Sequence, residues 1–348
     1  MSELLLVEQR AVAAGEDDGA HWILEGGRIL PGVDDNRRME ELRRGLLRHA
    51  GVRTAVADAH SEDVEQTLSL LHEPGYLKAL AEVSSEPVVI PELTPPGLPP
   101  DIPVSAGLVE AAREGVRTAM TAAGRLAEGT RFTYALCRPP GHHAGPAWFA
   151  GYCYLNTAAA AVQVLRHAGV SPVGILDLDL HYPNGTAAIV ARMGDASLHS
   201  LHAAPVTNVA DGTVEPASDR EVAVEFPGVP DSDDYLSMVA QSLDELAADS
   251  EALVVSLGYD IVAGDPHGSW RFEPAIFTAI GALLAACGRP VCVVQEGGYA
   301  LDSLAECSEA FATGLLGEAP EASAVPYAVH GRLRHSGTVG VPGGAGDE

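Results

Sequence analysis

Residues Ile175–Asn184, ILDLDLHYPN, carry two carboxylates and an imidazole at alternating positions: Asp177, Asp179 and His181. On an extended strand, residues two apart point to the same side. An apolar run that breaks at Pro183 therefore predicts a strand whose carboxyl end presents all three groups together. Charged side chains are rarely buried without partners or a metal. Two readings fit the spacing: a metal site at the strand end, or an exposed edge strand with alternating polar residues. The remaining ligand, the base and the electrophile must come from elsewhere in the chain.

Three other apolar runs end in reactive segments. FTYALC (132–137) leads into RPPGHHAGP, with His142 and His143. Adjacent histidines in a Pro/Gly loop suit proton transfer, because imidazole titrates near neutrality. A surface pair, or two more metal ligands, would look the same. ALVVSL (252–257) leads into GYD, and Asp260 or Asp265 can each supply a third ligand; GDP also makes Asp265 a turn residue. PVCVV (290–294) leads into QEGGY. The Gly297–Gly298 pair lets backbone approach a ligand and turns Tyr299 inward, or Tyr299 only packs. In an open parallel sheet, ligands bind outside the carboxyl ends of the strands. Four reactive strand ends point to one shared site.

The elements that must position these groups alternate along the whole chain. Strands are expected at 4–8, 53–57, 132–137, 173–180, 196–202, 252–257 and 290–294. Helices are expected at 36–47, 61–71, 74–83, 106–126, 156–167, 186–192, 232–248, 274–287 and 301–316. Gly15–Gly27 reads as a polar loop, Val206–Glu225 as irregular, and the six-proline stretch Pro91–Pro103 as a long loop near the site. Val/Leu/Ile-rich strands alternating with helices predict an α/β fold: a mostly parallel sheet with helices on both faces. With no internal repeat or linker, one domain is expected over 1–348, with its core at about 20–315 and a frayed tail from about Gly337.

Composition narrows the classes. The 348 residues are 47% apolar, enough for a large core. No stretch of about 18 apolar residues suggests a membrane span, so no membrane partner is expected. MSELLLVEQR lacks a basic region followed by a long apolar run, so no signal peptide is expected. The five cysteines form no CxxC pair, which reads as reduced thiols in a cytoplasmic protein. A net charge of −27 repels nucleic acid and favours cationic ligands, although solubility alone also explains it.

Taken together, RPPGHHA (138–144), GYCYLN (151–156), DLDLH with NGT (177–186), SLH (200–202), GYDIVAGDP (258–266) and QEGGY (295–299) resemble the arginase/deacetylase superfamily. More narrowly, they resemble histone deacetylases and acetylpolyamine amidohydrolases, and the EGGY form is similar to class II and bacterial members. The resemblance implies a deacetylase that removes an acetyl or acyl group from an acyl-lysine, an acylated polyamine or another small amine. It implies one Zn²⁺, with Fe²⁺ or Co²⁺ as alternatives, held by Asp179, His181 and Asp265. It implies His143 as general base, His142 with Asp177 as its electrostatic partner, Asn184 orienting His143, and Tyr299 as donor to the oxyanion. A structural K⁺ is implied at Asp177, Asp179, His181, Ser200 and Leu201. Gly151 and Tyr152 match a channel wall, and Asp101 a rim aspartate. A homodimer is an expectation of the resemblance alone.

Three departures accompany it. The family's usual HHGNG is here His181-Tyr182-Pro183-Asn184-Gly185, which keeps the ligand and the asparagine but alters their surroundings. The aromatic expected after SLH is replaced near Val209. The segment around Gly15–Gly27 lacks the longer insertion of many polyamine amidohydrolases. Two other functions compete: a metal-bound but inactive binder of acyl-amines, which the retained histidines and Tyr299 disfavour, and an arginase-like ureohydrolase with two Mn²⁺.

Overall fold

The structure is a computed structural model and describes residues 3–11, 21–204 and 218–317. The strands in chain order are β1 (Leu4–Glu8), β2 (Trp22–Glu25), β3 (Arg28–Pro31), β4 (Val52–Val56), β5 (Phe132–Leu136), β6 (Val173–Asp177), β7 (Ala196–Ala203), β8 (Glu221–Phe226), β9 (Ala252–Leu257) and β10 (Val291–Gln295). Eight of them form one sheet in the order β4-β1-β5-β10-β9-β6-β7-β8. Every pairing in it is parallel.

β5, β6, β9 and β10 are buried along their whole length. This is why their sequences are continuously apolar rather than alternating. Side chains of opposite parity enter two different cores. Ala135, Ile175, Val254 and Val294 pack under α2 (Ser61–Leu71), α3 (Pro74–Ala81), α4 (Ala106–Ala127), α5 (Thr157–His167) and α6 (Asn184–Val190). Phe132, Leu176, Val255 and Val293 pack under α1 (Asn36–Leu46), α7 (Ser232–Asp249), α8 (Ile276–Ala286) and α9 (Leu301–Leu316). The expected α/β architecture with helices on both faces is what the chain adopts. Asn156 caps α5 as its sequence predicts, accepting from Ala159 N at 2.8 Å.

Several expectations need correction. Part of the stretch read as a polar loop is an antiparallel hairpin, β2–β3, turning at Gly26 and Gly27, both at positive φ. Short strands joined by Gly-Gly are marginal alone; this one is held by Leu24 N donating to Asp101 O at 2.8 Å. The stretch read as irregular ends in β8, whose ladder with β7 overrides its weak local signal. α8 begins at Ile276, because Pro274 leads a single turn before it. α6 begins at Asn184, two residues early. Pro183 (φ −78, ψ 60) forms an inverse γ-turn, with Asn184 N donating to Tyr182 O at 2.9 Å. Val209, residues 15–20 and the tail from Gly337 lie outside the described residues. No helix among the described residues is long and apolar enough to cross a membrane.

Candidate active site

The four reactive strand ends belong to β5, β10, β9 and β6, which are neighbours in the sheet. Their loops therefore meet above one edge of it. After β6, the chain folds back on its own carboxylates. Asp179 N donates to Asp177 Oδ1 at 3.2 Å, and His181 N to Asp179 Oδ1 at 3.0 Å. Loops from neighbouring strands complete the cradle. Gly297 N donates to Asp179 Oδ2 at 2.9 Å, and Leu180 N to Asp260 Oδ1 at 3.1 Å. A Cβ on Gly297 would lie 2.6 Å from Asp179 Oδ2, so only glycine lets this backbone come so close.

Asp179, His181 and Asp260 converge, their ligand atoms all within 4.8 Å of one another. His181 Nδ1 faces Asp179 Oδ1 and Asp260 Oδ2, each at 3.1 Å. Both carboxylates are fully buried. Burial drives each toward neutrality. For Asp179 the imidazoles of His142 and His181 overcome this, while at Asp260 the charge of Asp179 adds to it and holds that carboxyl above its usual range. Two buried carboxylates facing one ring nitrogen form a donor set that a divalent cation satisfies, with three protein ligands and a side open to the pocket. The residues present fit a metal.

Asp265, the expected third ligand, is not in this cluster. Its Oδ2 accepts Tyr299 N at 2.6 Å and Ala300 N at 3.0 Å, and its Oδ1 accepts His267 N at 2.9 Å. These three bonds tie Asp265 to the loop that carries Tyr299. Asp260 follows β9 by three residues and stays at the strand mouth; Asp265 sits one turn further on and serves the next loop.

The histidine pair divides by environment. His142 Nδ1 lies 3.4 Å from Asp177 Oδ2, and its Nε2 3.6 Å from Asp179 Oδ1. Burial alone would depress His142, but the charges of Asp179 and Asp177 outweigh it and push the imidazole up to about 10. His143 is also buried; desolvation and the neighbouring His142 and His181 charges hold it well below its ordinary value. Its Nδ1 meets Asn184 Oδ1 at 3.0 Å. An amide oxygen only accepts, so the proton sits on Nδ1 and Nε2 is left as the acceptor. Titratable partners pushed apart in this way are how a site assigns a charged role and a basic role.

Tyr299 also lines the pocket, its ring beside those of Tyr152 and His267. The Arg38 guanidinium lies 4.4 Å from its ring centroid, and burial raises its hydroxyl well above the usual phenol range, so it remains a donor. Arg38 is itself buried, paired with Asp34, and donates to Gly298 O at 2.5 Å. Nothing in the spacing of α1 singles it out from the helix's other arginines. The cavity is about 190 Å³ and is lined by His142, His143, Asp179, His181, Tyr299, Gly151, Tyr152, Asp101, Ile23, Ile102, Pro140 and His267. That is smaller than a drug-sized pocket of about 300 Å³ or more and suits one slender chain.

Gly151 and Tyr152 line the cavity, both at positive φ (54° and 66°). Tyr152 is held there by Val33 N donating to its hydroxyl at 3.4 Å and by His267 Nε2 at 3.3 Å. Asp101 Oδ2 accepts Gly151 N at 2.7 Å. A Cβ on Gly151 would lie 2.4 Å from His143 Cδ2. Gly151→Ala is therefore expected to displace the His143 ring and lower kcat by roughly tenfold or more, beyond the ~1–2 kcal/mol of backbone strain. Steady-state kinetics beside a thermal melt separates the two effects.

In the altered His-Tyr-Pro-Asn segment, the Tyr182 hydroxyl donates to Glu221 Oε1 and its ring packs on His202 at 5.0 Å. Asp177 pairs in register with Ser200, whose Oγ lies 2.8 Å from His202 Nδ1. Tyr182-Pro183 thus replaces the usual residues with a buried anchor and a turn that still deliver Asn184 to His143.

Residues 33–315 match the family model of the histone deacetylase domain. The acetylpolyamine amidohydrolase of Mycoplana ramosa is 33% identical over 319 residues, 81% of this chain and 91% of that protein. Histone deacetylase 15 of Arabidopsis thaliana is 35% identical over 199 residues, 54% of this chain and 36% of that protein. Among solved structures, the acetylpolyamine aminohydrolase of Burkholderia pseudomallei superposes with a TM-score of 0.75 at 25% identity, covering 91% of this chain and 99% of its own.

Proposed function

Because the chain belongs to the histone deacetylase family, we propose that its pocket hydrolyses the amide of an acetylated aliphatic amine, a polyamine or a lysine side chain. The observation that carries this is the convergence of Asp179, His181 and Asp260, the first two of which line one narrow cavity with His143 and Tyr299. Asp179, His181 and Asp260 would hold a single divalent ion, zinc in our reading, with Fe²⁺ or Co²⁺ as substitutes. When bound, such an ion supplies Lewis-acid polarisation of the acyl carbonyl and acidifies water.

The protein's own groups do the rest. His143 Nε2 takes the proton of the attacking water and returns it to the departing amine nitrogen. His142, cationic beside Asp177, offsets the negative charge that develops. The Tyr299 hydroxyl donates to the carbonyl oxygen as it becomes an oxyanion. Ile23, Ile102 and Tyr152 give the cavity apolar and aromatic walls for an alkyl chain, and the acidic surface favours amines that carry positive charge. We also read a K⁺ next to the site, where the Asp177 carboxylate is fully buried beside His142 and pairs across the ladder with Ser200.

An arginase-like pair of ions would need a second ligand set. The other group of potential ligands among the described residues is His142, Cys153 and Glu296. Burial keeps the Cys153 thiol protonated, and Glu296 Oε2 already accepts two backbone N–H groups. We therefore read the site as holding one ion per chain. The purified protein with zinc is expected to release acetate from at least one of N-acetylputrescine, N-acetylspermidine and an acetyl-lysine peptide. A chelator should bring the rate to background and zinc restore it. A chain carrying one metal that hydrolyses none of a broad acyl-amine panel refutes the hydrolase and leaves a binding module. Two Mn²⁺ per chain would support the ureohydrolase.

A further inference from the structure

Glu296 belongs neither to the metal cluster nor to the proton-transfer pair, yet it stands between the loops that carry them. It follows β10 directly and precedes Tyr299 by three residues, and its side chain is fully buried. Oε2 accepts Gly141 N at 2.7 Å and His142 N at 3.1 Å. The Glu296 backbone carbonyl accepts Arg38 Nη2 at 2.7 Å, and the same guanidinium covers the Tyr299 ring. Buried N–H groups in an irregular segment must find acceptors outside any ladder. Glu296 supplies one acceptor to two consecutive N–H groups, at the point where the chain turns into the histidine pair.

We propose that Glu296 is a positioning residue that fixes the histidine loop against the tyrosine loop, and so sets the placement of His143 relative to Tyr299 across the pocket. The proposal rests on the reading of that pocket as an amide-hydrolysing site. It makes reach, not charge, the property that matters. An oxygen must stand at the end of a two-methylene stem to accept both N–H groups. Glutamine keeps that oxygen and gives up the charge. Aspartate keeps the charge and withdraws the oxygen by about 1.5 Å.

The test compares Glu296→Gln and Glu296→Asp in the full-length, zinc-loaded protein. Since misplacement by about 1 Å costs up to about 10²-fold in rate, Glu296→Asp is expected to lose on the order of 10–10²-fold in kcat, while Glu296→Gln stays within about threefold. Substrate KM and one metal per chain should be retained in both. Amide exchange at Gly141 and His142 should remain slow in Glu296→Gln and quicken in Glu296→Asp. The proposal is overturned by an aspartate variant with wild-type kcat and exchange, or by a glutamine variant as impaired as the aspartate one. Loss of metal from Glu296→Asp would also overturn it, by moving the residue into the support of the metal cluster. If the wild type hydrolyses no acyl-amine, the hydrolase reading fails, and the exchange rates at Gly141 and His142 still decide whether the brace exists.

Discussion

Asp260→Ala is expected to abolish measurable turnover and to leave the dialysed protein almost without metal, whereas Asp265→Ala keeps its metal and loses rate. Asp260 supplies one of three converging ligand groups, and Oδ2 faces the others with no other hydrogen bond. Removing even a supporting residue outside a ligand set typically costs about 10–100-fold in metal affinity, and removing a ligand costs more. Asp265 does different work. Its three accepted N–H bonds hold the backbone of His267, Tyr299 and Ala300. Losing them frees the tyrosine loop, for an expected fall on the order of 10–10²-fold in kcat. Elemental analysis of both variants beside kcat decides the matter. Metal lost from Asp265→Ala and retained in Asp260→Ala would return the ligand role to Asp265.

Tyr299→Phe should lower kcat by about 10²–10³-fold, the usual cost of deleting one oxyanion donor. Its KM and metal content should stay near wild type. The variant is a clean one, because the ring's contact with Arg38 and the backbone's bonds to Asp265 do not involve the hydroxyl. A Tyr299→Phe enzyme with more than about a third of wild-type kcat would remove the hydroxyl from the mechanism.

The layered α/β sheet was legible because buried parallel strands are continuously apolar and end abruptly in polar segments. The histidine pair, Asp177, Asp179, His181 and Tyr299 were legible for the same reason: each sits within a few residues of such an end. Spacing could not rank Asp260 against Asp265. Both follow one strand, and only the path of the loop shows which carboxylate turns back toward β6 and which caps the next loop. Arg38, Glu296 and His267 were invisible as site residues. Arg38 comes from a helix far earlier in the chain, and its role depends on tertiary packing that no local pattern encodes. Glu296 was in view inside QEGGY, but its partners are backbone N–H groups, which leave no residue-type signal. The β2–β3 hairpin, which contributes Ile23 to the cavity, was missed because four-residue strands around Gly-Gly carry almost no periodicity.

The order of the sheet has a consequence for how the protein is made. β10 comes last of the strands in the chain, yet it lies in the middle, between β5 and β9. Before β9 and β10 exist, the histidine loop after β5 and the ligands after β6 flank a gap of three strand spacings, about 14 Å. A chain emerging from the ribosome thus carries most of its reactive groups long before they can meet. Filling that gap is a late, non-local event and slow by nature. Asp179, His181 and Asp260 follow the adjacent strands β6 and β9, so a chain that ends before β10 is expected to keep the ligand cluster while lacking Tyr299, separating metal binding from turnover.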